Sequence, residues 1–281
     1  MPHPHAPRIQ VVHAAAPTCF WSWGYEAVFN RLRLVYGDQI DLRVLISCVY
    51  TDFEEYLKHY ELTFPELVTW TEEARDLMGV PLHTDLRREM FPPSQLPASL
   101  AVMAAFRQGE PKGARFFRAL LRRSCVEGQD VTRDDVLLAA AREAGLDETA
   151  FRRDYEDRGA REEDLARMGS EWRHLPVGFY NVAVTDGDRR TVILDYAFDP
   201  REIEEAVDYL SGGTLKKQRP EDVLGYLREH GPTPLVEIAR VFALSPEEAQ
   251  GRLAELEGEG RAIRTTLAHA PHWQATGDSV R

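Results

Sequence analysis

Pro17-Thr18-Cys19-Phe20-Trp21-Ser22-Trp23-Gly24 is the stretch on which the reading of this chain turns. It lies between two signals of different period. Residues 9–14 hold Ile9, Val11 and Val12 and read as a short buried strand. From Ser22 onward, Tyr25, Val28, Phe29, Leu32 and Val35 recur at spacings of three and four, which predicts a helix with one apolar face. Cys19 therefore falls where a strand has ended and a helix opens. The unpaired N–H groups and the dipole of a helix start favour an anion. A thiol placed there is expected to have a lowered pKa and to act as a nucleophile near neutral pH. Ser22, three residues on, can offer its hydroxyl and its N–H to the sulfur. The spacing is C-x-x-S, a dithiol pattern whose second sulfur has become oxygen.

Working outward, Gly37 stops the helix and residues 41–50 read as a second strand. Its near-continuous apolar run (Leu42, Val44, Leu45, Ile46, Val49) suits a parallel sheet buried on both faces. Strand, helix and strand form a βαβ unit with a right-handed crossover. Residues 53–168 then read almost wholly as helix, broken at points such as Gly79-Val80-Pro81 and Gly109-Glu110-Pro111. This is a helical insertion in an α/β core. Strand signals return at 177–185 and 191–196, joined by the turn Asp186-Gly187-Asp188-Arg189. A helix over 200–210 ends at Ser211-Gly212-Gly213.

These residues resemble the DsbA-like branch of the thioredoxin superfamily, closest to cytosolic members with a C-P-W-C-W or C-x-W-S-W motif. The resemblance spans residues 9–213. It implies a thioredoxin-like fold with a large all-helical insertion (about 53–168). It matches Cys19 to the attacking cysteine, Ser22 to the resolving position and Pro176, in Leu175-Pro176, to the family's cis-proline. That proline's loop faces the active-site sulfur and can pair with an extended substrate; a trans proline opening a strand is the alternative. Phe20, Trp21, Trp23 and Leu175 become candidate substrate-binding residues, with core packing the other use for the two tryptophans. Two departures weigh against a strong oxidase. Ala14, Ala15 and Ala16 stand where an acidic residue is often found, and Phe20 replaces the common proline.

Domain boundaries follow: 1–213 for the thioredoxin-like part, 214–219 for a linker carrying Lys216, Lys217 and Arg219, and 220–281 for a small C-terminal unit. Three helices and a hairpin give that unit a winged-helix-like pattern, with a capping box at Ser245 and Glu248. It holds seven Lys and Arg against ten Asp and Glu over 219–281. Such a surface repels phosphate, so a protein contact or dimerisation is expected of it rather than DNA binding.

The whole chain is also acidic: 281 residues carry 34 Lys and Arg against 46 Asp and Glu, a net charge of −12. This argues against nucleic acid and anionic membrane as partners. No apolar run approaches the ~18 residues of a membrane span, and residues 1–8 lack the apolar stretch of a secretory signal. The protein is placed in the cytoplasm, where its three cysteines are expected to rest as thiols. Cys48 falls in the expected buried strand, where a thiol is inert, and Cys125 at a helix end that could be exposed. Arg115, Arg118, Arg122 and Arg123 read as the solvated face of a helix. His269 and His272 read as surface residues, and no metal site is expected.

Three functions remain. The leading one is a monothiol thiol–disulfide oxidoreductase or isomerase: Cys19 attacks, Ser22 steadies the thiolate, and glutathione or another thiol resolves the mixed disulfide as co-substrate. Its substrates are protein thiols or disulfides. The second is a non-catalytic adaptor that holds a client protein, as the YjbH-type protease adaptors do. The third is an enzyme like the kappa-class glutathione transferases and 2-hydroxychromene-2-carboxylate isomerases, which use a serine where this chain has Cys19.

Overall fold

Two strands and the helix between them build the first layer. The computed structural model describes residues 9–174, 177–187 and 190–277. The N-terminal residues 1–8, the Leu175-Pro176 bond and the turn residues Asp188 and Arg189 lie outside them. β1 (Gln10–Ala15) is followed by α1 (Phe20–Tyr36) and β2 (Asp41–Ile46), and the two strands pair in parallel from Gln10↔Asp41 to Ala15↔Ile46. The insertion comprises α2 (Phe53–His59), α3 (Phe64–Met78), α4 (Leu96–Phe106), α5 (Glu110–Cys125), α6 (Asp134–Glu143), α7 (Glu148–Glu156) and α8 (Arg158–His174). It thus runs six residues past the expected end at 168. β3 (Asn181–Thr185), β4 (Thr191–Asp195) and α9 (Pro200–Ser211) complete this part.

The sheet order is β2-β1-β3-β4, with β3 antiparallel to both its neighbours. This corrects the expectation for residues 41–50. β2 is an edge strand, half-buried along most of its length, because it has a partner on one side only. It also stops at Ile46, so Cys48 sits in the following loop, where its thiol donates to the Tyr50 carbonyl at 3.0 Å. The strands buried along nearly their whole length are the two inner ones, β1 and β3. In the insertion, α4 is buried from Ala98 to Ala105, enclosed on all sides, which is why its sequence shows no polar stripe.

The C-terminal unit contains α10 (Val223–His230), β5 (Thr233–Pro234), α11 (Leu235–Phe242), α12 (Pro246–Gly258), β6 (Ala262–Leu267) and β7 (Ala270–Ala275). Its three-stranded antiparallel sheet has the order β5-β7-β6. The short β5 has no signal in the sequence, where 231–233 reads only as a break. Ser245 and Glu248 close the expected capping box on α12. His272 is a correction: it lies in the central strand β7 and is fully buried, whereas His269 is exposed, 3.2 Å from Asp85.

This unit packs on α1 through α11, and Ala27 of α1 joins its apolar core with Tyr226, Leu227 and Ile238. Residues 214–219 run tied to the surface rather than hanging free. The Gln218 N–H donates to Val35, and Lys217 reaches Glu204 at 3.0 Å and Asp208 at 2.8 Å. The arginine stripe of α5 is the second correction of exposure. Arg118 and Arg122 are only 4% and 7% exposed, because the C-terminal unit and neighbouring carboxylates cover them. Arg118 pairs with Glu26 of α1 and Glu237 of α11; Arg122 pairs with Glu127 and Glu143. No helix among the described residues is long and apolar enough to cross a membrane.

Candidate functional site

The chain leaves β1 at Ala15 and turns at once. The Cys19 N–H donates to the Ala16 carbonyl at 3.1 Å, and the Trp23 N–H donates back to Cys19 at 3.2 Å, the first bond of α1. Cys19 is therefore the N-cap, with extended backbone angles. The Ser22 Oγ accepts the Ala16 N–H at 3.2 Å, which pins the turn and leaves the hydroxyl proton free for the sulfur. The backbone and hydroxyl of Ser22 and the backbone of Trp21 all donate to Cys19 and favour its thiolate.

Burial nevertheless dominates. Cys19 is 5% exposed, and loss of water pushes its pKa up to about 11, against the three donors that pull it down. This corrects the lowered pKa expected from the helix start. The expected donors are present; what the local sequence does not display is the aromatic wall that later elements bring around the sulfur.

That wall encloses a cavity of about 1080 Å³. Cys19, Phe20 and Trp21 line one side of it, and Trp70 of α3 faces Phe20 edge-on at 5.6 Å between ring centroids. Trp21 meets Tyr196 at 5.4 Å, and Tyr196 stacks on Tyr180 at 5.2 Å. Tyr180 and Tyr196 are 43% and 45% exposed, so an aromatic face continues from the cavity to the surface. Trp23 does not line the cavity. It is buried, donates from Nε1 to the Pro81 carbonyl at 3.1 Å, and carries the Arg118 guanidinium over its ring. Leu175 and Pro176 lie outside the described residues, but Gly178, Phe179 and Tyr180, just beyond them, line the cavity. The Gly178 N–H is held by the Asn181 Oδ1 at 2.7 Å.

Two site residues escape the sequence reading. Cys48 and Cys125 both line the same cavity as Cys19. Cys125, expected at an open helix end, is 8% exposed. Burial raises both thiols, Cys48 to about 11. Nothing local marks either residue; only the fold of the insertion over β2 brings them to the pocket. Among the described residues, no group of three or more His, Cys, Asp or Glu is placed to hold a metal.

A thioredoxin family profile matches residues 15–164, from the end of β1 into α8. The chain belongs to the thioredoxin family. Within the thioredoxin fold it resembles DsbA-like structures. The cytosolic disulfide reductase DsbM from Pseudomonas aeruginosa aligns with a TM-score of 0.52 and 24% identity, over 71% of this chain and 97% of DsbM. A probable DsbA oxidoreductase from Streptomyces coelicolor aligns with a TM-score of 0.55 and 14% identity, over 76% and 94%. At these identities the likeness is one of fold. A different relative spans the C-terminal unit as well. The ClpXP adapter protein SpxH of Halalkalibacterium halodurans is 24% identical over 266 residues, 92% of this chain and 86% of its own.

Proposed function

We propose that this thioredoxin-family chain is a protein-binding adapter that holds a client for a ClpXP-type protease, in the cytoplasm. One observation carries the reading. The motif holds a single cysteine, 5% exposed and favoured in its neutral form by burial, with a serine in the resolving position. A monothiol exchange enzyme needs a thiolate at that point. Holding a partner needs none. The half-exposed Tyr180 and Tyr196, with the cavity behind them, offer the aromatic contact surface that protein recognition favours.

The relationship to SpxH over nearly the whole length supports the same reading, because it includes the C-terminal unit. We assign that unit a winged-helix-like role in protein contact. Its helices and three-stranded sheet suit the pattern, and its acidic surface disfavours nucleic acid. Glutathione, on this reading, is an incidental exchange partner and not a cofactor.

The test is complementation. In the host, deleting the gene is expected to stabilise a discrete set of short-lived proteins against proteolysis. A Cys19→Ser copy should restore their turnover as well as the wild-type copy does. Failure of Cys19→Ser to restore it, with wild type turning over a glutathionylated peptide in vitro, would return the chain to the enzymes.

A further inference from the structure

Ser22 leaves the motif one sulfur short, and the fold carries another to the same place from a distant helix. α1 and α5 pack against each other, and the 3.0 Å ion pair between Glu26 and Arg118 marks their register. Cys19 stands seven residues before Glu26; Cys125 stands seven residues after Arg118. Seven residues are about two turns, roughly 10.5 Å along the axis, and return to the same helix face. Both cysteines line one cavity, so the helices run antiparallel. In a parallel pair these two positions would stand about 21 Å apart along the axis.

A second linkage fixes the same two points. Trp23, one turn into α1, donates to the Pro81 carbonyl at 3.1 Å, and the His83 N–H two residues on donates to the Cys125 carbonyl at 2.8 Å. Each cysteine sits at a helix end: Cys19 is the N-cap of α1 and Cys125 the last residue of α5. A disulfide asks that their Cα atoms stand within ~6.8 Å, which the peptide map below tests.

We propose that Cys19 and Cys125 form a disulfide across the two helices, with Cys125 taking the resolving role that Ser22 lacks and a disulfide-bearing peptide as the oxidant. The Cys19 thiolate attacks one sulfur of the incoming disulfide and expels its partner as a thiol. The Cys125 thiolate then attacks the Cys19 sulfur and releases the second half. Two protein thiols lose two protons and two electrons, and the peptide disulfide leaves as two thiols. The cavity that resists a thiolate accepts a neutral disulfide at no electrostatic cost. The bond therefore forms slowly and, once made, resists reduction, because reduction must expel a thiolate into the same dry space. This pairing does not depend on the adapter reading: client turnover tests that reading, and a peptide map tests this one.

The experiment uses the full chain, with oxidised glutathione as probe in mildly alkaline buffer, followed by acid quench, alkylation and mass-spectrometric mapping. In wild type, the peptides bearing Cys19 and Cys125 should be joined, with no glutathione retained. In Cys125→Ser and Cys125→Ala, glutathione should stay on Cys19. Cys48→Ser should behave as wild type. Glutathione retained on wild-type Cys19 as fully as on Cys125→Ser, a link to Cys48, or Cys19 unmodified throughout would each overturn the proposal.

Discussion

Two opposing effects meet at the Cys19 sulfur. An anion at a helix start gains about 0.3–1 kcal/mol when exposed and up to ~2 kcal/mol when partly buried. Burial lifts the thiol from its ordinary range to about 11, a net of about 3 kcal/mol against the thiolate. Desolvation thus exceeds everything that Ser22 and Trp21 supply. Ser22 has a structural duty besides, since its Oγ takes the Ala16 N–H. Replacing it with alanine leaves that buried donor unpaired. Ser22→Ala should lower stability in urea unfolding by about 1–3 kcal/mol. It should also move the Cys19 thiol further up, because one of its donors is gone.

At the scale of elements, what could be read from sequence was what is local. The three-and-four spacing of α1 and the period change around Cys19 stand in the sequence, and so does the Ser245–Glu248 cap. Even Gly24 has its reason within reach of the fold: a Cβ there would collide with Met78 of α3 and touch Phe198. What could not be read depends on partners far along the chain. The stripe Arg118–Arg122 looks solvated until Glu26, at a separation of 92 residues, and Glu237, at 119, are seen beside Arg118. The apolar run of β2 suggests a doubly covered strand, yet strand order alone makes it an edge. Cys48 and Cys125 carry no local mark at all. The cavity that they share with Cys19 is made by the insertion folding over the end of the sheet.

Across the whole molecule, Arg118 joins three elements. Its guanidinium meets Glu26 of α1 at 3.0 Å and Glu237 of α11 at 2.9 Å, and its Nε donates to the His230 carbonyl at the end of α10. Asn30 of α1 extends the network through Tyr226 to Glu237. The C-terminal unit is thereby fastened to the helix that begins at Cys19. Arg118→Ala would leave the buried Glu237 and the partly buried Glu26 without their cation and should cost about 3–5 kcal/mol in denaturant unfolding. Arg118→Lys should recover only part of this, because an ammonium cannot fork between two partners. An unchanged unfolding midpoint for Arg118→Ala would refute the role of this network.

A chain fastened in this way, around a sulfur that burial favours in its neutral form, is built to hold, and its sulfur exchanges slowly. The rate of Cys19 alkylation by a small neutral reagent, followed against pH in the folded Cys48→Ser/Cys125→Ser chain, tests this most directly. The account predicts a slow rate that climbs about tenfold per pH unit through the alkaline range, with no plateau near the ~8.5 of a free cysteine. A rate that levels off with a midpoint at or below that value would contradict it, since Cys19 would then be an activated nucleophile.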